Sequence, residues 1–495
     1  MKKKILFVNP NKWGRGITTI WIASHTGCLR KLGYEVKLFD CTFYKDWTDL
    51  EIELNTVNNQ FKKTDYLKKI NWNKNNVIQD LKNFISDYKP DIIFSSAISS
   101  HIHGEGEYIN IQYTYNLLKD IKFNGILIFG GLQPTANPKK VFDLMPKINF
   151  LISGESELIL SEIVKQYPKI DNIKKISGLS YLEKKKFIKN PPQKIIEDLD
   201  SISPYDYSIF DSQVFLRPYN GKVLKAVDYE LSRGCIYTCS YCVETVIQKY
   251  YGFNKKNKRG TLLSAKSYLR NKSAKVIFNE IKNLNEKYGI ELFRCQDTNF
   301  LTINHKVLKE LSEYINSSNL KIKLYIETRA EGINEKTIHF LKKLKIDGVG
   351  MGLELSSDEF RESSLNRFVD SKKIIKAFKL LKKNDINTTA YNIIGLPNQT
   401  EKSIIDTIKF NQKIKPNVSS VAYYSAYDGT NLKDKSETFF EKYPEGMDAQ
   451  IRGKIQNHKI DMKVLDFYKS NFNSLVANKN LNINKFKNEW LKKKS

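Results

Sequence analysis

The chain has 495 residues, more than a single hydrophobic core usually organises, so we expect two or three packed units. Lysine and arginine number 81 against 54 aspartates and glutamates, but the lysines are spread along the whole chain, so the net charge of +27 does not by itself predict a nucleic-acid-binding protein. The apolar run 5–8 is too short for a signal peptide and no run reaches the roughly twenty residues of a membrane span, so we expect a cytoplasmic protein without a membrane segment.

Short apolar runs alternate with amphipathic segments in the first part of the chain. The predicted strands are 4–8, 35–40, 91–97, 125–131 and 149–154. Their apolar residues are continuous rather than alternating, which is typical of strands covered on both faces. We therefore predict a doubly wound, Rossmann-like α/β domain over residues 1–170, with 41–75 as an insertion or long loop.

A second series of strands and helices follows a hairpin and linker, which we assign to 171–224. Six candidate strands are separated by helical stretches, at 228–233, 290–294, 323–328, 348–354, 388–395 and 419–425. Repeated βα units predict a parallel sheet. We expect a partial (β/α)6 TIM-type barrel over 225–432 and a helical C-terminal region over 433–495.

One helix of this series can be predicted in detail. Ser273 is placed to cap its N-terminus, and Val276, Ile277, Ile281 and Leu284 recur at the spacing of a single buried stripe.

Three of the six cysteines, Cys235, Cys239 and Cys242, fall within eight positions after an apolar strand. Three thiolates on one loop can hold three irons of a 4Fe-4S cubane and leave the fourth iron open to another ligand. A structural zinc site, which prefers four closed ligands, and ordinary buried thiols are the alternatives. Cys295 could supply a fourth ligand, although it lies on its own predicted strand.

With this spacing, residues 225–432 resemble the radical S-adenosylmethionine (SAM) superfamily. The resemblance implies that the three cysteines hold a 4Fe-4S cluster and that SAM binds the open iron. It also implies that one electron cleaves SAM to a 5'-deoxyadenosyl radical. Tyr241 matches the aromatic position that lies near the adenine in this family.

Further matches follow at the ends of later strands. Asp297, with Phe300, resembles an Asp-x-x-Phe version of the motif that supports the methionine amino group. Glu327 and Arg329 match a Glu-x-Arg at a strand end and are the predicted catalytic residues, since they could face the cofactor or substrate. An ordinary ion pair is the alternative for both.

The remaining matches concern SAM. Glu354 stands where the family places a polar side chain near the ribose or the methionine, and Arg367 matches the arginine that often pairs with the methionine carboxylate. Ordinary surface placement is the alternative for both. Ile394 and Gly395, in a Gly-Leu-Pro segment, would lie by the adenine.

The N-terminal domain resembles the cobalamin-binding domains fused to one large radical SAM subgroup. Gly130 and Gly131 match its Gly-Gly turn, Ser95 and Ser96 end the preceding strand, and Gly-Glu-Ser-Glu at 154–157 matches its Gly-Glu-Gly-Glu segment. The Asp-x-His-x-x-Gly motif, whose histidine ligates cobalt in many such proteins, is absent. The resemblance implies that cobalamin binds without a protein histidine; the alternative is a degenerate domain that only shapes the substrate cavity.

The leading hypothesis is a cobalamin-dependent radical SAM enzyme that methylates an unactivated carbon. A radical cyclase, oxidoreductase or rearrangement enzyme without methylation is the first alternative, and a zinc-bearing nucleic-acid-binding or scaffold protein is a remote one. We expect a small-molecule substrate, with an anionic one favoured by the positive charge, and a flavodoxin or ferredoxin as reductant.

Overall fold

The computed structural model describes residues 2–48, 56, 62–96, 107–424, 427–432 and 460–494. Outside the described residues lie 49–55 and 57–61 of the predicted insertion, the last residue of the strands predicted at 91–97 and 419–425, and 433–459 of the predicted helical tail. In the part that is described, the chain forms two seven-stranded sheets and a two-stranded ribbon.

The first sheet contains all five strands that the apolar runs predict and two more. Its strands are β1 (Lys4–Asn9), β2 (Glu35–Asp40), β3 (Ile92–Ser96), β4 (Ile126–Gly130), β5 (Phe150–Ile152), β6 (Leu179–Glu183) and β7 (Lys186–Lys189). They lie in the order β2-β1-β3-β4-β5-β6-β7; the first five are parallel, and the hairpin β6-β7 continues the sheet in the antiparallel sense.

Helices cover this sheet, which explains the continuous apolar runs. Every residue of β3, β4 and β5 is buried. The helices are α1 (Ile20–Lys31), α2 (Tyr66–Lys69), α3 (Val77–Tyr88), α4 (Glu107–Leu118), α5 (Leu132–Ala136), α6 (Pro138–Leu144), α7 (Glu157–Gln166) and α8 (Ile170–Ile173). The strand order changes direction between β1 and β3, and the crevice at such a switch point is where doubly wound sheets bind ligands.

The second sheet is the predicted partial barrel. Its strands are β8 (Leu216–Tyr219), β9 (Lys222–Tyr229), β12 (Leu292–Cys295), β13 (Lys323–Thr328), β14 (Ile346–Glu354), β15 (Asn387–Ile394) and β16 (Val418–Tyr423). The six strands from β9 to β16 are parallel, and β8 pairs with β9 as an antiparallel edge. The strand predicted at 228–233 begins earlier, as β9, and its last two residues belong to the ribbon of β10 (Ser232–Arg233) and β11 (Arg270–Asn271).

Helices pack outside the barrel. They are α9 (Glu244–Tyr250), α10 (Ala265–Tyr268), α11 (Ala274–Tyr288), α12 (His305–Ser317), α13 (Glu335–Lys343), α14 (Asp358–Ser363), α15 (Ser371–Lys383) and α16 (Glu401–Ile414). In α11, the Ser273 side chain accepts a hydrogen bond from the Val276 amide, as predicted, but Ala274 rather than Val276 completes the buried stripe with Ile277, Ile281 and Leu284.

Two C-terminal helices, α17 (Met462–Ala477) and α18 (Ile483–Lys494), close one end of the barrel sheet. Apolar residues of α17 pack in one cluster with outward-facing residues of β15, β16 and α16. In the segments that the structure describes, no helix is long and apolar enough to cross a membrane.

Candidate functional site

The three cysteines lie on one loop between β10 and α9, at the carboxyl ends of the barrel strands. Cys235 and Cys239 are buried and Cys242 is half-buried. The Cys235 amide donates to the Glu244 carboxylate at 3.0 Å, and the Gln248 side chain donates to the Cys235 carbonyl at 2.8 Å. Gly234 has a φ of +95°, and a β-carbon there would lie 2.6 Å from the Tyr268 carbonyl oxygen, so the loop requires glycine before its first cysteine.

The donor set of this loop suits a cubane. Across the described ranges, no three His, Cys, Asp or Glu side chains form an arrangement that could hold a metal ion. A cubane makes a different demand, because each thiolate binds its own iron. Burial raises the pKa of the Cys235 thiol to about 12, so iron must displace its proton on binding. Cys295, the possible fourth ligand, is buried in the core outside the barrel.

Arg329 contacts the cysteine loop directly. Its Nη1 donates to the Cys239 Sγ at 3.4 Å, and its guanidinium lies over the Tyr237 ring, 3.7 Å from the centroid. Its Nε donates to Glu331 at 3.0 Å. A fixed cation beside a thiolate stabilises the negative charge that a bound cluster would place there.

Glu327 lies two residues earlier on the inward face of β13 and contacts a different group. Its carboxylate accepts a hydrogen bond from the Tyr391 hydroxyl at 2.9 Å, and that hydroxyl lies 2.9 Å from the Tyr325 hydroxyl. The two residues predicted as catalytic are therefore at different depths: Arg329 touches the cysteine loop, and Glu327 faces the barrel interior.

Tyr241, Glu354 and Arg367 come together beside the cysteines. The Tyr241 hydroxyl donates to Glu354 at 2.9 Å, and Arg367 lies 3.7 Å from the same carboxylate and donates to the Gly352 carbonyl at 2.6 Å. Glu354 adopts a φ of +63°, which aims its side chain back into this group. The buried Arg367 Nε has no hydrogen-bond partner among the described residues, which leaves a donor for an anionic ligand.

Asp297 is fully buried and holds the strand end that leads to the cysteine loop. Its carboxylate accepts hydrogen bonds from the Leu231 amide at 3.1 Å and from the Ser232 amide at 2.6 Å. The structure thus gives Asp297 a backbone-supporting contact that the sequence did not predict.

Ile394 and Gly395 end β15 on the side away from Tyr241. The Ile394 side chain packs in the outer cluster with α16 and α17, and a β-carbon on Gly395 would lie 3.5 Å from Leu465 of α17. Ile393 shares a small apolar cluster with Tyr241 instead. Side chains alternate along a strand, so Ile393 and Ile394 lie on opposite faces of β15, and the contact of Ile394 and Gly395 with an adenine stays a prediction.

In the first sheet, the predicted cofactor residues end β3 and β4. The Ser95 hydroxyl donates to the Val8 carbonyl at 3.1 Å and lies 2.9 Å from the Thr114 hydroxyl. A β-carbon on Gly130 would lie 3.6 Å from the Ser96 hydroxyl oxygen, and Gly131 has a φ of +103°. These residues form a close-packed turn at the end of the sheet.

The next turn carries a polar atom that fits a bound ligand. Gln133, two residues beyond Gly131, is buried, and its side-chain carbonyl oxygen has no hydrogen-bond partner among the described residues. Buried amide oxygens are rarely left unpaired. The amide side chains at the edge of a corrin ring carry N–H groups that would satisfy such an acceptor. The residues present therefore fit that cofactor.

One group of functional contacts was not predicted from the sequence. Arg233, two residues before Cys235, pairs with Glu157 at 2.6 Å, with Glu230 at 2.8 Å and with Glu155 at 3.5 Å. Arg270 also pairs with Glu155, at 2.8 Å. The segment 154–157 thus binds the base of the cysteine loop. Charged residues beside apolar strands were the only signal for these contacts, and they do not identify partners far apart in sequence.

A model of the Radical SAM superfamily matches residues 229–410. The matched range contains the three cysteines and the group of Tyr241, Glu354 and Arg367.

Similar proteins extend the likeness over both sheets. The anaerobic magnesium-protoporphyrin IX monomethyl ester cyclase of Cereibacter sphaeroides is 24% identical over 459 residues; the match covers 89% of this chain but only 65% of the cyclase. The methyltransferase TsrM from Kitasatospora setae, solved with cobalamin and a [4Fe-4S] cluster, superposes with a TM-score of 0.62 at 14% identity over 88% of this chain and 77% of its own.

The cobalamin-dependent SAM radical enzyme OxsB, solved with aqua-cobalamin and SAM, gives a TM-score of 0.58 at 16% identity. The superposition covers 87% of this chain and 54% of OxsB. These two structures share with this chain the layout of a parallel sheet followed by a partial barrel.

Proposed function

We propose that the chain is a radical SAM enzyme, as the match of its residues 229–410 supports, that its barrel holds a 4Fe-4S cluster and SAM, and that its first sheet binds a cobalamin for methyl transfer to an unactivated carbon. The observation that carries the proposal is the cysteine loop: three thiols held at the strand ends, with Arg329 on Cys239 and the polar group of Tyr241, Glu354 and Arg367 beside them. When bound, the cluster supplies the electron that cleaves SAM to a 5'-deoxyadenosyl radical.

The chain's own residues would orient SAM. Arg367 has a free buried Nε for the methionine carboxylate, and its guanidinium suits a forked contact with two carboxylate oxygens. Tyr241, tied to Glu354, would present its ring to the adenine. Arg329 would hold the thiolate of Cys239 in place and keep water from it by its position over Tyr237.

Cobalamin is supported by two independent observations. The unpaired oxygen of Gln133 and the Gly130–Gly131 turn lie at the end of β4, next to the switch point. TsrM and OxsB, both solved with cobalamin, share the layout of sheet and barrel. A bound cobalamin would supply the methyl group for transfer.

Ring formation is the second candidate function. The curated relative with 24% identity over 89% of this chain is a cyclase by name. Such a reaction would use the same cluster and SAM but would consume no methyl group. The polar interior of the barrel is compatible with either outcome, since it would hold the substrate in both.

Anaerobic reconstitution with iron, sulfide and hydroxocobalamin, followed by desalting, tests the cofactors. We expect about four irons per chain and close to one corrinoid. Iron without corrinoid would contradict the cobalamin proposal and leave the first sheet as a structural or substrate module. Failure to retain iron would contradict the cluster itself.

Incubation of the loaded protein with SAM and a low-potential reductant separates methylation from ring formation. Methyl transfer produces S-adenosylhomocysteine together with 5'-deoxyadenosine, whereas ring formation produces 5'-deoxyadenosine alone. 5'-Deoxyadenosine without S-adenosylhomocysteine, in the presence of the corrinoid, would favour the cyclase. We further propose a flavodoxin or ferredoxin as the natural reductant, and a cytoplasmic location, where the six thiols stay reduced.

A further inference from the structure

The inward face of the barrel sheet carries polar side chains that are only partly buried. On β15, the inward-facing Tyr391 and Ile393 keep solvent-accessible surface, whereas the outward-facing residues between and beside them are buried. Arg294 on β12 and Glu327 on β13 are also half-buried on this face. Their side chains therefore keep some solvent-accessible surface on the inner side of the barrel sheet.

Two glycines of β14 let inward-facing tyrosines approach the strand closely. A β-carbon on Gly350 would lie 2.6 Å from the Tyr391 ring and 2.8 Å from the Tyr325 hydroxyl, and one on Gly348 would lie 2.7 Å from the Tyr325 ring. The two tyrosine rings can therefore pack directly against the backbone of β14.

Arg294 is half-buried on this face. Among the described residues, its guanidinium makes no direct hydrogen bond or ion pair; it lies 5.6 Å from the centroid of the Tyr325 ring, and the charges of Asp228 and Glu327 act on it from a distance. It stands in register between Asp228 of β9 and Tyr325 of β13. A guanidinium in a protein interior that makes no direct ion pair keeps its N–H donors available for an anionic ligand.

Asp228 acts on Arg294 through its charge but makes no hydrogen bond to it, and its oxygens already have other partners. It accepts hydrogen bonds from the Thr18 amide at 3.1 Å and from Gln296 at 2.7 Å, and it forms an ion pair with Arg217. Arg217 is 2% exposed, yet its Nε and Nη1 have no hydrogen-bond partner within the described segments. Arg294 and Arg217 thus both offer unused donors near Asp228.

The charges around Asp228 and Arg294 favour a ligand with a single negative charge. The guanidiniums of Arg15, Arg217 and Arg294 act on Asp228, and Arg294 also faces Glu327, so that three cations stand against two carboxylates. One net positive charge matches a carboxylate better than a phosphate dianion, which Glu327 would also repel.

We propose that Arg294, supported by Arg217, binds a carboxylate group of the substrate. This inference rests on the proposed function, since it assigns a substrate class to the barrel of a radical SAM enzyme. The inward residues Tyr325, Glu327 and Arg329 lead from the level of Arg294 to the cysteine loop, which is roughly 13 Å along the strand. The substrate is therefore a small organic acid whose reacting carbon lies remote from its carboxylate.

Binding measurements on the reconstituted protein test this assignment without an identified substrate. The probes are benzoate and hexanoate, each paired with its primary amide, and inorganic phosphate. We expect at least one carboxylate to bind at least tenfold more tightly than its amide, and Arg294→Gln to remove that difference. Lys402→Gln, which removes the same charge from the exposed face of α16, should leave it unchanged.

Arg294→Lys keeps the charge and loses the forked geometry, so it should retain part of the preference even if Arg294→Gln fails to fold. The assignment is overturned if no carboxylate binds the wild-type protein more tightly than its amide, if Arg294→Gln keeps the preference, or if phosphate binds more tightly than both carboxylates. SAM cleavage by the wild-type protein is scored separately: its absence would count against the proposed function, whereas the carboxylate preference is measured by binding alone.

Discussion

The contacts of individual side chains show which of the predicted residues touch the cysteine loop. The Glu-x-Arg pattern predicts that Glu327 and Arg329 share a face of β13, and the structure has both on the inward face. The pattern cannot give their depth, which depends on where the loop of Cys239 folds over the strand end. The predicted place of Ile394 by the adenine stays a prediction; its side chain packs on the outer face of β15, and that of Ile393 packs on the inner face with Tyr241.

The cysteine loop gives a prediction with an internal control. Cys239→Ala should lower the bound iron and reduce SAM cleavage below detection, because the cubane loses one of three protein ligands. Cys295→Ala removes a thiol from the outer core and should leave both properties close to wild type. Bound iron is measured by colorimetric assay and cleavage by 5'-deoxyadenosine. Equal loss in the two variants would contradict the assignment of ligands.

Tyr241 and the nearby Tyr237 differ in their contacts: the Tyr241 hydroxyl donates to Glu354, whereas Tyr237 contacts Arg329 through its ring. Tyr241→Phe removes the 2.9 Å hydrogen bond to the buried Glu354, so SAM should bind about tenfold more weakly, as expected for a hydrogen bond to a charged group. Tyr237→Phe keeps the ring beneath Arg329 and should bind SAM normally. Equilibrium dialysis with SAM measures both. Unchanged binding by Tyr241→Phe would remove this residue from the proposed SAM site.

Secondary-structure elements were the most predictable part of the molecule. Continuous apolar runs predicted β1 to β5, and the six barrel strands were found in the expected order, since hydrophobic periodicity is a local property. The end of the first barrel strand was misplaced because the cysteine loop begins with the short ribbon of β10 and β11. A ribbon of two residues has too little periodicity to be detected in a sequence.

Helix α11 offers a test at the scale of one element. Ser273→Ala removes the side-chain acceptor of the Val276 amide and should destabilise the first turn by about 1 kcal/mol. The matched control is Ser267→Ala, whose exposed hydroxyl only donates to the Ser264 carbonyl. Hydrogen exchange of peptides from α11, followed by mass spectrometry, should show faster exchange in the first variant alone. Equal exchange in both would show that Ser273 does not stabilise the helix.

Across the whole molecule, the contact between the two sheets was the feature that the sequence could not predict. Glu155 and Glu157 belong to the first unit, and their partner Arg233 lies 76 residues or more further along the chain. Local patterns contain no information about such pairs, which form only when both units are docked. The inward position of Arg294 could not be predicted from the sequence either, because an arginine on the inner face of a strand and one on the outer face can have the same sequence neighbours.

Glu157→Gln tests that contact. It replaces a buried carboxylate that pairs with Arg233, so we expect the contact between the first sheet and the barrel to be weakened by about 2 kcal/mol. The loss is smaller than for a fully broken buried ion pair, because Glu155 and Glu230 still pair with Arg233. Limited proteolysis of the 190–206 segment should become faster. Glu162→Gln, on the same helix but part of a surface pair, is the control. Equal cleavage of the two variants would contradict a stabilising role for the contact.

The link between Arg233 and the acidic segment also orders events during synthesis. Glu155 and Glu157 leave the ribosome before Arg233, and the cysteines follow directly after it. The acidic partners are therefore already present when the base of the loop emerges, and we expect the loop to be anchored before iron reaches it. A nascent chain made in this order would present its three thiols to iron on a loop that is already positioned. This order shortens the time during which the free thiols are exposed to oxidation.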